Sequence, residues 1–135
     1  MRKYPLTDAD QQLIDAALAA LRAGADGHYH TVGAAVRCPD GTVFAGVNCD
    51  GIHGACAEFV AVGAAVSAGQ PLFDTIVAMH EMAKNHLVPP CGNCRQMLYE
   101  YSPDVLVILN DEQGDACKIP LRDLLPLAYE KVTGE

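Results

Sequence analysis

Four side chains in two short segments could do chemistry together. "PPCGNC" sets Cys91 and Cys94 three residues apart at the predicted start of a helix, so both sulfurs fall on one side of its first turn. Thiolates at this spacing are a common half-site for zinc, although a lone C-x-x-C also serves as a redox pair. Cys56, in "HGACAEFVA", is the best candidate for a complementing ligand, because it too lies at a predicted helix start. Free N–H groups and a partial positive charge favour the thiolate there. Three thiolates on four-coordinate Zn²⁺ leave one position open for water, whose pKa zinc lowers toward neutrality. Glu58 is the one charged residue in the apolar run "ACAEFVAVGAAVSAG". Burying an unpaired charge is expensive, so this carboxylate needs a task. Beside a zinc-activated water it would do general acid/base work, taking a proton and delivering it to a substrate atom.

Two plainer readings compete. Cys91 and Cys94 could hold a closed structural zinc, with Cys56 and one of Cys38, Cys49 or Cys117 completing four ligands. Glu58 could be a surface residue on an amphipathic helix. His53, His80 and His86 have no metal-ligand spacing with the paired cysteines and read as loop or strand-end residues. Cys38, Cys49 and Cys117 lie in or beside predicted strands and read as small buried hydrophobes.

The elements that must position these residues follow from periodicity. "TDADQQLIDAALAALRAGADG" predicts a first helix, with Leu13, Ile14, Ala17, Leu18 and Leu21 at helical spacing. Thr7 or Asp8 caps its start, and Gly24 or Gly27 ends it. "TVGAAVRC" and "TVFAGVNC" predict two strands around the turn "PDG". "GACAEFVAVGAAVSAG" predicts a second helix, "FDTIVAMH" a third strand, and "CGNCRQMLYEY" a third helix after Pro89-Pro90. "DVLVILN" predicts a fourth strand whose unbroken apolar run suits a sheet covered on both faces. "ACKI" predicts a short fifth strand, and "PLRDLLPLAYEKV" a closing helix interrupted near Pro126. This order predicts one α/β domain over residues 1–135, a three-layer α/β/α sandwich around one mixed five-stranded sheet.

Composition narrows the partners. A formal charge of −8 disfavours a phosphate backbone, so nucleic acid is a poor partner and a small neutral or cationic ligand a better one. No apolar run suits a membrane span, and the N-terminus lacks the apolar segment of a secretory signal. The reading is cytoplasmic, where six cysteines stay reduced and metal ligation is the first question.

At this point the residues resemble a known family. "CAE" at 56–58 and "PCGNCRQ" at 90–96, about 35 residues apart, resemble the zinc signature of the cytidine deaminase superfamily. "TVGAAV", "DGTVFAGVN" and "LRDLLPLAY" extend the resemblance over most of the chain. It implies the cytidine deaminase-like fold, one Zn²⁺ per subunit on Cys56, Cys91 and Cys94, and Glu58 as proton shuttle. Nucleic-acid editing members mostly have His at the first ligand position. Cys56 thus resembles the free-nucleoside branch, which implies a homotetramer. The resemblance further implies that Asn48 binds ribose and that the Ala57 backbone and the Pro89 carbonyl meet the pyrimidine edge and amino group. His30 falls near an aromatic position that lines the base pocket.

The chain departs from the pattern in three places. Asn48-Cys49-Asp50 stands where N-x-E is typical, so the carboxylate of Asp50 is one methylene shorter. Phe59 replaces an arginine that offsets thiolate charge, leaving that task to helix N-termini and Arg95. An uncharged residue after C-A-E resembles the blasticidin S deaminase branch, but Asn93 replaces that branch's arginine between the paired cysteines. The implied activity is zinc-dependent hydrolytic deamination of cytidine or deoxycytidine. The alternative is deamination of a modified aminopyrimidine nucleoside or antibiotic such as blasticidin S. A non-catalytic zinc-stabilised binding protein is the remote third.

Overall fold

The computed structural model describes residues 1–132, so the last three positions of the domain expected over 1–135 lie outside the described residues. Helix α1 spans Asp8–Gly24. Thr7 caps it: its hydroxyl accepts the Asp10 N–H, and the Asp10 carboxylate accepts the Thr7 N–H. This reciprocal pair satisfies two N–H groups that a bare helix end would leave free. Strands β1 (Gly33–Arg37) and β2 (Val43–Val47) form the predicted hairpin. Its turn is closed by Gly41 N–H to the Cys38 carbonyl at 2.9 Å, with Gly41 at φ +90. Then come α2 (Ala57–Ser67), β3 (Thr75–Met79), a single 3₁₀ turn at Lys84–His86, α3 (Gly92–Tyr101), β4 (Leu106–Asn110), β5 (Ala116–Pro120) and α4 (Leu121–Leu124).

The five strands make one mixed sheet in the order β2-β1-β3-β4-β5. β3 and β4 are parallel, and the other neighbours run antiparallel. The central strand β3 is buried at every position, as expected of a strand covered on both faces. Alternation along the strands sorts the core into two layers. Ala35, Val77, Met79 and Ile108 face Leu13, Ala17 and Leu21 of α1. Ala34, Val36, Ile76, Val107 and Ile119 face Ala57, Ala61, Val62 and Ala65 of α2 and Met97 and Leu98 of α3. The result is the expected α/β/α sandwich.

Two glycines set how closely the helices approach. A Cβ on Gly46 would strike Val60 of α2 at 2.5 Å, and one on Gly33 would strike α1 at Ala17 and Leu21. The predicted closing helix is shorter than expected. It stops at Leu124, and residues 125–132 do not return to helix. Pro126 supplies no N–H and disfavours helical geometry at the residue before it, where Leu125 sits at φ −143 and ψ 62.

Candidate active site

The centre is built by two helix starts. Cys56 is the N-cap of α2 and Cys91 the N-cap of α3. Cys94 follows in the first turn of α3, on the same side as Cys91, and is fully buried. The Sγ atoms of Cys56, Cys91 and Cys94 all lie within 4.8 Å of one another. Among the described residues no fourth cysteine, and no histidine or carboxylate, joins this group. The closed four-thiol arrangement is therefore not formed. Cys38 and Cys117 are buried in the core as expected. Cys49 is not buried: it lies just past β2, where pairing with β1 has ended, and is exposed. His80 accepts from the Met82 N–H, and His86 pairs with Glu81, both away from the thiols.

The donor set fits one zinc ion. Tetrahedral zinc with Zn–S bonds near ~2.3 Å needs three sulfurs clustered this closely, and leaves a fourth position to water or substrate. Burial pushes the Cys56 and Cys94 thiols up, and Glu58 raises both further. Burial also acts on Cys91, but the N–H groups of Cys94 and Asn93 and the neighbouring thiols outweigh it, so its pKa falls. Two of three thiols thus stay protonated without a cation, and metal binding would release their protons.

Glu58 occupies the first turn of α2 and is 5% exposed. It belongs to the same buried stripe as Ala61, Val62 and Ala65, so helical phase carries the carboxylate inward. Burial raises its pKa, opposed by its own N–H and by the Cys94 thiol. Phe59 packs against the apolar core. Arg95 donates to the Pro90 carbonyl at 2.8 Å and the Leu124 carbonyl at 2.9 Å. It thereby braces the residue before Cys91. Charge compensation at the thiols falls to the N-termini of α2 and α3.

A cleft of about 570 Å³ opens over this centre, within the range usual for small-molecule sites. Asn48, Asp50, Ala57 and Pro89 line it together with Cys56, Glu58 and Cys91. His30 does not; its Nδ1 lies 3.1 Å from the Asp26 carboxylate. Val32, Val88 and Ile52 add apolar walls that no motif in the sequence marks. Among the described residues, every charged side chain lining the cleft is acidic: Asp50 and Glu58.

The fold and the three-thiol centre define the class, a zinc-binding enzyme built on an α/β/α sandwich. The comparisons with known proteins narrow it. The family model for the cytidine and deoxycytidylate deaminase zinc-binding region matches residues 7–110. A blasticidin-S deaminase of Bacillus cereus is 32% identical, over 97% of this chain and 99% of its own. A cytidine deaminase of Halalkalibacterium halodurans is 38% identical over 73% of this chain and 76% of its own. The crystal structure of a cytidine deaminase from Burkholderia pseudomallei superposes with a TM-score of 0.75 at 35% identity, covering 92% of this chain and all of that one. The chain belongs to the cytidine and deoxycytidylate deaminase family, and it is a hydrolytic deaminase.

Proposed function

We propose that the protein deaminates a cytosine-type nucleoside, cytidine or deoxycytidine, to the uracil nucleoside and ammonia. The observation that carries this reading is a buried carboxylate, Glu58, two residues after Cys56, beside the three-thiol centre and open to a cleft of nucleoside size. Cys56, Cys91 and Cys94 would hold zinc, which would supply the Lewis acid that makes water nucleophilic near neutral pH. Glu58 accepts the proton this water loses and passes it to ring N3 as C4 is attacked. It then takes the second proton from the hydroxyl added at C4 and delivers it to the 4-amino group, so that the C4 carbonyl forms, the C4–N bond breaks and ammonia leaves. Burial raises its pKa above the ordinary carboxylate value, which suits a group that must hold a proton between transfers. The Ala57 N–H and the Pro89 carbonyl hold the pyrimidine edge, with Val32 and Val88 against the ring. Asn48 and Asp50 meet the sugar, so binding energy distant from C4 serves to position it.

Deamination of a modified aminopyrimidine nucleoside is the second reading. Phe59 in place of an arginine, and near full-length similarity to a blasticidin-S deaminase, favour it. Ultraviolet absorbance with cytidine, deoxycytidine, cytosine and blasticidin S, with and without chelator, separates the two. Loss of amino-pyrimidine absorbance with none of these would remove both readings. The assembly we infer is a homotetramer, supported by exposed apolar side chains at Ile52, Leu127 and Val132. Light scattering tests it. Six unpaired cysteines suit a reducing, cytoplasmic compartment. No described helix is long and apolar enough to cross a membrane.

A further inference from the structure

The wall of the cleft around Val32 belongs to a segment, residues 28–32, that lies in neither helix nor strand. Backbone N–H groups in such a segment still need partners. Here five consecutive ones go to two side-chain oxygens. Asp26 Oδ1 accepts from His28 at 2.9 Å, Tyr29 at 2.8 Å and His30 at 2.9 Å. Asn48 Oδ1 accepts from Thr31 at 2.8 Å and Val32 at 2.9 Å. Asn48 Nδ2 donates to the Tyr29 carbonyl at 2.9 Å, which ties the two sets together. The other Asp26 oxygen meets the His30 ring, and the Asp26 N–H donates to the His30 carbonyl at 3.2 Å. These contacts hold the Asp26 carboxylate well below the usual carboxylate range, the His30 N–H contributing most.

This arrangement bears on what Asn48 has left to offer. An amide oxygen has two lone pairs and an amide nitrogen two hydrogens. Both lone pairs and one hydrogen are committed to residues 29–32. Only one N–H remains to face the cleft, so Asn48 meets a ligand as a donor and never as an acceptor. The loop that commits it is in turn closed by Asp26, which does not line the cleft.

We propose that Asp26 is a positioning residue for substrate binding: with Asn48 it fixes the backbone of residues 28–32, and so orients both the Val32 wall and the one free Asn48 N–H. The proposal rests on the cleft being the nucleoside site. Removing the carboxylate frees three N–H groups at one end of the segment and leaves Asn48 to hold the other end alone.

The test compares Asp26→Ala, Asp26→Asn, Asn48→Ala and the Asp26→Ala/Asn48→Ala pair. Steady-state kinetics with cytidine are read beside zinc content and amide hydrogen exchange. Asp26→Ala is expected to raise KM about tenfold with kcat within about twofold, the scale of one or two lost hydrogen bonds. Zinc content stays at the wild-type level. Asp26→Asn keeps an accepting oxygen and recovers most of the loss. The double variant is less impaired than the product of the singles, because both act through one segment. Exchange at the Thr31 and Val32 amides, which Asp26 does not touch, is expected to quicken in Asp26→Ala. Unchanged KM, or fully additive effects, would overturn the proposal. So would unchanged exchange at those two amides. A wild-type protein that turns over no cytosine nucleoside defeats the functional reading instead, and the exchange experiment then decides alone whether Asp26 holds this wall.

Discussion

Glu58 and the three thiols carry the chemistry at the residue scale. Glu58 meets the Cys94 thiol but is not a member of the three-thiol group, so its proton-carrying role and the metal-holding role of the thiols separate by mutation. Glu58→Gln keeps the shape and removes the proton. We expect it to retain zinc in the wild-type ratio and to lose turnover by about 10²–10⁴-fold, the range of a general acid/base. Metal analysis beside ammonia release reads both, and near-normal turnover would remove the role. Cys91→Ala takes away the thiol whose ionised form the α3 N-terminus favours most. That variant should purify without zinc and melt at a lower temperature, because metal binding adds to folding free energy. Stoichiometric zinc in it would point to other ligands. C-x-x-C and C-A-E were legible in the sequence because ligand spacing within one helical turn is local. The commitment of Asn48 to residues 29–32 was not, since its partners lie 16 to 19 residues away.

At the scale of elements, two devices set where the helices sit. Gly46 lets β2 approach α2, the helix that begins at Cys56 and carries Glu58. Gly46→Ala should cost about 1–3 kcal/mol by overpacking against Val60. Its zinc affinity and kcat should also fall, because the helix start that bears Cys56 must shift. Denaturant melts and a chelator titration measure the two effects. On the other face, Asp10 anchors α1. Its carboxylate is fully buried and lies 2.7 Å from Lys118 on β5 and 3.1 Å from Arg37 on β1. Burial alone would raise its pKa, but Lys118, Thr7 and Arg37 outweigh it, and the net shift is down. A depressed folded pKa means the contribution is present above the unfolded value near ~3.9 and fades as pH falls through the folded value. Asp10→Asn takes the carboxylate from buried Lys118 and leaves Arg37 with Asp74 alone, and should cost about 3–5 kcal/mol at pH 7. The difference from wild type should shrink below about pH 4 in urea melts. A gap that stays constant to pH 2 would sink this account. Thr7 was legible as a cap. Asp10 was not read as a core residue, because a capping-box acid ordinarily faces solvent and its partners come from two distant strands.

For the whole molecule, the acidic surface and the cleft act in one direction. The net charge is −8, and the charged side chains of the cleft are Asp50 and Glu58. A 5′-phosphate on the substrate should therefore be penalised. We expect kcat/KM for deoxycytidine 5′-monophosphate to lie about tenfold or more below that for deoxycytidine at low salt, with the gap narrowing as salt shortens the Debye length. Equal efficiency at low salt would show that a cation outside the described lining reaches the phosphate. The sequence by itself determined the element order, the three-layer class and the C-x-x-C half-site. Those depend on periodicity, caps and spacing within a few residues, and the metal chemistry follows from donor type. Tertiary structure decided which three of six cysteines meet, since Cys56 and the Cys91–Cys94 pair are joined only by packing α2 and α3 on one sheet face. It also decided that Glu58 is buried, that Cys49 is exposed, that residues 125–132 leave the helix, and that His30 turns to Asp26. Each of these outcomes is set by which distant segment fills the space beside a residue, and local pattern carries no record of that.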